Sequence, residues 1–129
     1  MEFDHAGVAT DDRDALIDLY GTLLDAPVAH EERFGELRVA FLDLGNGYFE
    51  VLEPTADADG AVTNYLDRQG PGIHHLALRT DDIDDALDRA RAADVPLIDE
   101  EPRPGAWGHD VAFLHPSATG GVLVELVEH

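Results

Sequence analysis

The stretch GIHHLALRTDDIDDAL, residues 72–87, has a near copy at the start of the chain, DHAGVATDDRDAL, residues 4–16. When the two copies are aligned, His5 matches His75, and the threonine and two aspartates that follow match at the same offset. Each copy begins with the alternation that is typical of a β-strand and continues with apolar residues at helical spacing. The repeat therefore predicts a strand followed by a helix in each half of the chain.

Aspartates mark the beginning of both predicted helices. Asp11 and Asp81, or their immediate neighbours, are candidate N-caps, because a carboxylate accepts backbone N–H groups and suits the positive end of the helix dipole. The helices are predicted over about residues 12–24 and 82–93. Apolar side chains at helical spacing predict one core stripe on each helix, formed by Leu16, Leu19, Tyr20 and Leu23 on the first and by Ile83, Leu87, Ala90 and Ala93 on the second.

The later parts of the two halves also resemble each other. VAFLDLGNGYFEVLEPT, residues 39–55, and VAFLHPSATGGVLVELVEH, residues 111–129, both begin with Val-Ala-Phe-Leu and pass through a glycine-containing turn. Both end in a strand that carries two glutamates three residues apart. Each half therefore predicts a strand, a helix and then about three strands.

These patterns predict an α+β fold of two tandem βαβββ modules whose strands form one curved mixed sheet. The modules are expected at about residues 1–58 and 72–129 of a single domain, residues 1–129, with a linker over about 59–71. A short helix is expected in AVTNYLDRQG, residues 61–70.

Composition restricts the function. The 129 residues include no cysteine, so disulfides, thiolate ligands and a cysteine nucleophile are excluded. Asp and Glu total 28 against 8 basic residues, all of them arginine, for a net charge of −20. We expect a cytoplasmic, salt-adapted protein of the kind that halophiles make, because salt screens such self-repulsion. Binding to nucleic acid is not expected from an acidic surface, and no apolar run or leader predicts a membrane segment or a secretion signal.

The two matched histidines are candidate metal ligands. Alternate residues of a strand point to opposite faces, so His5 and His75 are each followed by small residues on their own face, which leaves space beside the imidazole. His74 points to the other face and is expected to be a packing residue beside the site.

Two glutamates complete the candidate ligand set. Within each Glu-x-x-Glu pair the members have opposite parity, and the inner one, Glu50 or Glu125, is bracketed by apolar residues. A buried carboxylate needs a compensating partner such as a metal ion or an arginine. His5, Glu50, His75 and Glu125 therefore form a two-histidine, two-carboxylate set that suits one Mn, Fe, Co, Ni or Zn ion, and Mg less well.

In their order along the chain, these stretches resemble the vicinal oxygen chelate superfamily, which pairs βαβββ modules around a divalent metal. Together with LIDEEPRPGAWG, residues 97–108, they resemble within it the methylmalonyl-CoA epimerase family along nearly the whole chain. The resemblance places the family's metal ligands on His5, Glu50, His75 and Glu125. It implies interconversion of (R)- and (S)-methylmalonyl-CoA, an acyl-CoA, through a metal-stabilised enolate. It also implies a homodimer, and the only cofactor expected is one divalent metal ion.

The catalytic acid and base are less well marked. Glu125 and Glu50 are the carboxylates nearest to the expected reaction centre and are the candidate catalytic residues. A glutamate that some members of the family have at the position of Arg38 is absent here, and Glu36 is a substitute or a solvated side chain. Arg79 is a candidate contact for the substrate's carboxylate, or a partner in a surface ion pair.

Other residues carry weaker hypotheses. The family's CoA-binding loop has Ser117 where a lysine is common, although the backbone at Gly120 and Gly121 still suits a phosphate or simply a turn. Trp107, His109 and His115 are candidates for lining the pocket, whereas His30 and His129 are expected to be ordinary surface residues.

Two other functions use the same architecture. A glyoxalase I type lyase acting on a hemithioacetal would have the same ligand set. A non-enzymatic ligand-sequestering protein would lack a complete set.

Overall fold

The computed structural model describes all residues, 1–129. Its backbone contacts divide the chain into two compact units. We call His5–His74 the first unit, and Met1–Asp4 with His75–His129 the second unit. The strands are β1 (Glu2–Ala9), β2 (Val28–Phe34), β3 (Leu37–Asp43), β4 (Tyr48–Pro54), β5 (Gly72–Arg79), β6 (Arg103–Pro104), β7 (Asp110–Leu114) and β8 (Val124–Glu128). The helices are α1 (Arg13–Leu23), α2 (Ala61–Gln69) and α3 (Ile83–Ala92), and two 3₁₀ turns lie at Ala106–Gly108 and Pro116–Ala118.

The sheet of the first unit has the strand order β2-β3-β4-β1. β1 runs parallel to β4, and the β2–β3 and β3–β4 pairs are antiparallel. α1 packs on one face through a cluster that contains buried Leu42 and Val51 together with half-buried Leu16, Ile17 and Tyr20. We call this face the helix face, and the opposite one, which carries His5 and Glu50, the histidine face.

The second unit repeats this topology with the order β5-β8-β7-β6. β5 is parallel to β8, and the β8–β7 and β7–β6 pairs are antiparallel. α3 buries Ile83 and Leu87 against Ala112 and Leu126 on the helix face of this sheet. The histidine face carries His75 and Glu125. The predicted order of strand, helix and three strands is confirmed in both halves, as is the short helix in the connecting segment.

Both α1 and α3 begin with two carboxylates from different parts of the chain. The N-caps are Asp12 and Asp82, the neighbours of the first aspartates named above, and each accepts a backbone N–H three residues on, at 3.1 Å and 3.0 Å. Glu53 accepts the backbone N–H of Arg13 at 2.7 Å, and Glu128 accepts that of Ile83 at 2.9 Å. The outer glutamate of each Glu-x-x-Glu pair therefore fixes its helix to the end of a strand.

The predicted core stripe of α1 is wrong for two residues. Leu19 is 51% exposed and Leu23 is 66% exposed, and α1 has no fully buried residue. Leu16, Ile17 and Tyr20 make the contact with the sheet. At about 100° per residue, the contacting arc is turned toward Ile17, which leaves Leu19 and Leu23 on the exposed side of the helix. The stripe of α3 holds for three of its four residues, and the fourth, Ala93, is the exposed C-cap.

None of the three helices has the length and apolar character that a membrane-crossing segment requires.

Candidate metal centre

A buried histidine and a buried glutamate face each other in the first unit. His5 on β1 is 3% exposed and Glu50 on β4 is 5% exposed. Glu50 lies opposite Gly7 in the parallel register, two residues after His5 and on the same face. The small residue leaves space beside the imidazole, and His5 Nε2 lies 3.3 Å from Glu50 Oε1.

The second unit repeats this pair. His75 on β5 and Glu125 on β8 are also buried. Glu125 lies opposite Ala77, which again comes two residues after the histidine. His75 Nε2 lies 3.5 Å from Glu125 Oε1. Each predicted histidine is thus next to its predicted glutamate within its own unit.

A phenylalanine edge packs each histidine in place. Phe41 meets the His5 ring at a centroid distance of 5.4 Å and an interplanar angle of 90°. Phe113 meets His75 at 5.6 Å and 83°. Both phenylalanines come from the Val-Ala-Phe-Leu repeat and lie directly opposite Glu50 and Glu125 in the strand register. Histidine, glutamate and phenylalanine therefore form one repeated three-residue group.

His74 lies on the other face of β5 and belongs to different surroundings. Its ring packs edge-on against Tyr65 of α2, with the ring centroids 5.4 Å apart. The hydroxyl of Tyr65 donates to the backbone carbonyl of Ile73 at 2.9 Å, which fixes α2 to β5. His74 thus packs against α2.

His30 was expected to be an ordinary surface residue, and this expectation is wrong. His30 Nε2 lies 3.2 Å from Glu32 Oε1, and their side chains are only 30% and 27% exposed. The His30 ring also packs on Phe41, at a centroid distance of 6.3 Å. His30 and Glu32 therefore lie on the histidine face of the first unit, next to the group formed by His5, Glu50 and Phe41.

A different charged pair lies beside the phenylalanine of the second unit. The Arg103 guanidinium carbon is 5.5 Å from the centre of the Phe113 ring, a cation–π contact. Asp99 accepts from Arg103 Nε at 3.0 Å and from the backbone N–H of Phe113 at 2.9 Å. Neither residue was a sequence-based candidate, since only the strand register places them next to Phe113.

The weaker candidates lie elsewhere. Arg38 is on the helix face, where its guanidinium pairs with Glu53 at 2.9 Å. Glu36 lies in the turn between β2 and β3, and its carboxylate accepts the backbone N–H of Asp59 at 3.4 Å. Arg79 is an exposed residue at the end of β5. Gly120 and Gly121 both have positive φ in the turn before β8, and Ser117 donates its backbone N–H to His115 Nδ1.

The aromatic residues near the end of the chain form a stack. Trp107 stacks on His109 with centroids 5.8 Å apart, and His109 stacks on His129 at 3.8 Å. His129 Nε2 lies 2.6 Å from the carboxylate of buried Asp4. His129 is therefore not an ordinary surface residue, since its ring fixes the end of the chain to β1.

Comparison with known proteins places the chain in a family. The family model described as the glyoxalase/bleomycin resistance protein/dioxygenase superfamily matches residues 4–113. The mitochondrial methylmalonyl-CoA epimerase of Dictyostelium discoideum is 36% identical over 130 aligned positions, which cover 98% of this chain and 78% of that protein.

Two solved structures are similar over nearly the whole chain. Methylmalonyl-CoA epimerase from Mycobacterium tuberculosis has a TM-score of 0.92 and 35% identity, covering 98% of this chain and 87% of its own. A variant of the Streptomyces coelicolor methylmalonyl-CoA epimerase in complex with 2-nitronate-propionyl-CoA has a TM-score of 0.91 and 37% identity, covering 99% and 94%. The predicted fold is thereby confirmed. The chain belongs to the glyoxalase/bleomycin resistance protein/dioxygenase superfamily and, within it, to the methylmalonyl-CoA epimerases.

Proposed function

We propose that the protein interconverts (R)- and (S)-methylmalonyl-CoA by moving the proton on the carbon between the thioester and the free carboxylate. The observation that carries this proposal is the repeated buried His–Glu pair, at 3.3 Å in the first unit and 3.5 Å in the second. Relatives that share the fold and about a third of the sequence are named for this activity. The substrate is accordingly an acyl-CoA.

The proposal includes one divalent metal ion held by His5, Glu50, His75 and Glu125. Buried nitrogen and oxygen donors such as His5, Glu50 and His75 could hold a metal ion. The donor chemistry fits, because a buried carboxylate is costly without a compensating charge and imidazole with carboxylate suits Co, Mn, Ni, Zn or Fe better than Mg. When bound, the ion would supply positive charge to the substrate oxygens that gain electron density as the proton leaves.

The chain's own groups must then move the proton. Epimerisation needs an acid or base on each side of the planar carbon, so that the proton leaves from one face and returns to the other. Glu50 and Glu125 are the proposed catalytic carboxylates, one from each unit. Their burial excludes water, which strengthens the electrostatic interactions of the site.

Deuterium exchange with and without metal tests the function. Protein purified in high salt is stripped with a chelator, reloaded with each divalent metal in turn and incubated with methylmalonyl-CoA in deuterated water. We expect the reloaded protein to hold about one metal ion per chain. We expect deuterium at the α-carbon of methylmalonyl-CoA only in the presence of the reloaded protein. Metal-dependent turnover of a hemithioacetal without α-proton exchange would replace the proposal with the lyase. Absence of both metal and turnover would replace it with the ligand-sequestering protein.

The remaining parts of the proposal concern the environment of the enzyme. The charge of −20 favours a cytoplasmic protein in a salt-rich cell, where the self-repulsion of the acidic surface is screened. The family resemblance favours a homodimer. Light scattering and thermal melting between 0.2 M and 2 M KCl test both: we expect the mass of two chains and a melting temperature that rises with salt. A monomer would contradict the homodimer, and a melting temperature independent of salt would contradict the salt adaptation.

A further inference from the structure

We propose that His30, oriented by Glu32, is one of the two proton-transfer groups of the epimerisation, the one contributed by the first unit. This inference rests on the proposed function and revises one part of it. His30, a side chain outside the metal-ligand set, replaces Glu50 as the proton-transfer group of the first unit, and Glu50 remains a proposed metal ligand.

A β-bulge places His30 on the histidine face. Val28 lies opposite Leu42 and His30 lies opposite Phe41, so Val28 and His30 are two residues apart on β2 while their partners are adjacent on β3. Without this extra residue, His30 would lie opposite Ala40 and point to the helix face. Bulges occur next to active sites, where they redirect a side chain.

The strand register aligns His30 with the ligand pair of the first unit. His30, Phe41, Glu50 and Gly7 form one row across β2, β3, β4 and β1. Neighbouring strands are about 4.8 Å apart, so the backbone of His30 is about 10 Å from that of Glu50. An acyl group held beside His5 and Glu50 would extend over Phe41, and its reacting carbon would come within reach of the His30 ring.

Glu32 gives the imidazole the form that a base requires. Glu32 Oε1 is 3.2 Å from His30 Nε2. Because an ionised carboxylate only accepts hydrogen bonds, this contact favours the neutral tautomer with its proton on Nε2, in which Nδ1 is the basic nitrogen. Glu32 is two residues along the same strand, and both side chains are half-buried. A carboxylate that fixes the tautomer and stabilises the imidazolium is the arrangement that general-base histidines use. Glu32 is therefore a positioning residue, and His30 is the group that reacts.

The step conserves protons and electrons. His30 Nδ1 takes the α-proton, the electron pair of the broken C–H bond enters the thioester carbonyl, and an enolate forms beside an imidazolium paired with Glu32. A carboxylic acid on the other side of the planar carbon then delivers a proton, which gives the opposite epimer. Solvent takes the proton from His30 and reprotonates the carboxylate. The reverse reaction begins at the carboxylate and ends at His30.

Exchange measured separately for the two epimers tests this assignment. In His30→Gln we expect epimerisation to fall about 100-fold or more, which is the usual contribution of a general base. We expect one epimer to stop exchanging its α-proton with deuterated water, while the other still exchanges without inversion. Glu32→Gln should slow exchange of the same epimer as His30→Gln by about 10-fold, with less effect on the other epimer. A purely structural role would lower both exchanges together.

Glu31→Gln is the matched control. Glu31 is the neighbour of Glu32 on β2 but faces the other way, 3.7 Å from Arg13 on the helix face, and is 51% exposed. We expect the wild-type exchange rates for both epimers. His30→Asn provides a second variant if His30→Gln fails to fold, as judged by circular dichroism.

The two hypotheses fail in different ways. If wild-type protein exchanges neither epimer, the proposed function is wrong. If wild-type protein exchanges both, and His30→Gln either exchanges both at the wild-type rate or loses both equally with its metal, the proton-transfer role of His30 is wrong and the proposed function stands.

Discussion

The two units carry the same three-residue group but differ in the charged pair beside it. In the first unit, Phe41 packs against His30, which is paired with Glu32. In the second unit, Phe113 packs against Arg103, which is paired with Asp99. Histidine gains and loses a proton near neutral pH, whereas arginine keeps its charge. The two units therefore share the buried His–Glu pair and differ in the residue beside the phenylalanine, which is a histidine in the first unit and a permanent cation in the second.

The helices differ as well. α3 buries four residues, including Leu87, which is 1% exposed, whereas α1 buries none completely. Both helices nevertheless begin at the same device, an aspartate N-cap and the outer glutamate of the last strand. The conserved part of the repeat is thus the connection between helix and strand, and the divergent part is the amount of apolar surface that each helix covers.

Loss of a histidine donor is expected to have the largest effect. His75→Ala removes the imidazole 3.5 Å from Glu125 and one of the proposed metal ligands, so we expect metal to be lost and turnover to fall about 1,000-fold or more. The adjacent His74→Ala removes the edge-on contact with Tyr65 and should retain most of the metal and most of the turnover. Metal analysis and initial rates are measured for both variants. Equal losses in His74→Ala and His75→Ala would contradict the assignment of His75 as the ligand that corresponds to His5.

The difference in burial between α3 and α1 predicts the next largest effect. Leu87→Ala should lower the free energy of unfolding by about 2–5 kcal/mol, because α3 cannot collapse into the cavity that is left. Leu23→Ala on the exposed side of α1 should change it by about 0.5 kcal/mol or less. Urea denaturation in high salt measures both. A loss in Leu23→Ala that grows as the protein is diluted would instead place Leu23 in the interface of the proposed homodimer.

The sequence predicted the repeated features and missed those that break the repeat. Strand parity and alignment placed His5 with Glu50 and His75 with Glu125 on one face of the sheet, as they are in the structure, because parity is preserved along each of these strands. His30 was instead expected to be an ordinary surface residue, since no hydrophobic pattern reveals the bulge at the beginning of β2 that turns its side chain to the histidine face. Helical spacing likewise marks apolar positions, but it does not show which part of a wide stripe the sheet will cover. Leu19 and Leu23 were misassigned for that reason.

Arg103 allows the difference between the charged pairs to be tested. The guanidinium is held by Asp99 and Phe113 on the histidine face, where it is suited to bind an anionic group of an acyl-CoA. Arg103→Leu should raise KM about 10-fold, because a charge-assisted hydrogen bond contributes about 1.5–3 kcal/mol, and should change kcat little. Arg89→Leu, which removes an exposed pair with Asp85 on α3, is the control and should leave both constants unchanged. A fall in kcat with KM unchanged would give Arg103 a role in the chemical step.

The helix–strand connection predicts the smallest effects and a definite order between them. Glu128→Ala removes one acceptor from the N-terminus of α3 and should cost about 1 kcal/mol of stability, as lost caps do. Glu53→Ala removes the equivalent acceptor from α1 together with the ion pair to Arg38, whose side chain is 41% exposed. An exposed pair adds only about 0.2–1 kcal/mol, so Glu53→Ala should cost slightly more than Glu128→Ala.

A double-mutant cycle with Arg38→Ala separates the ion pair from the cap by urea denaturation. If the cap alone, without the ion pair, costs the same at both helices, the duplicated connection stabilises α1 as well as α3 although α1 buries less. If the cost is confined to α3, the connection depends on the buried core behind it.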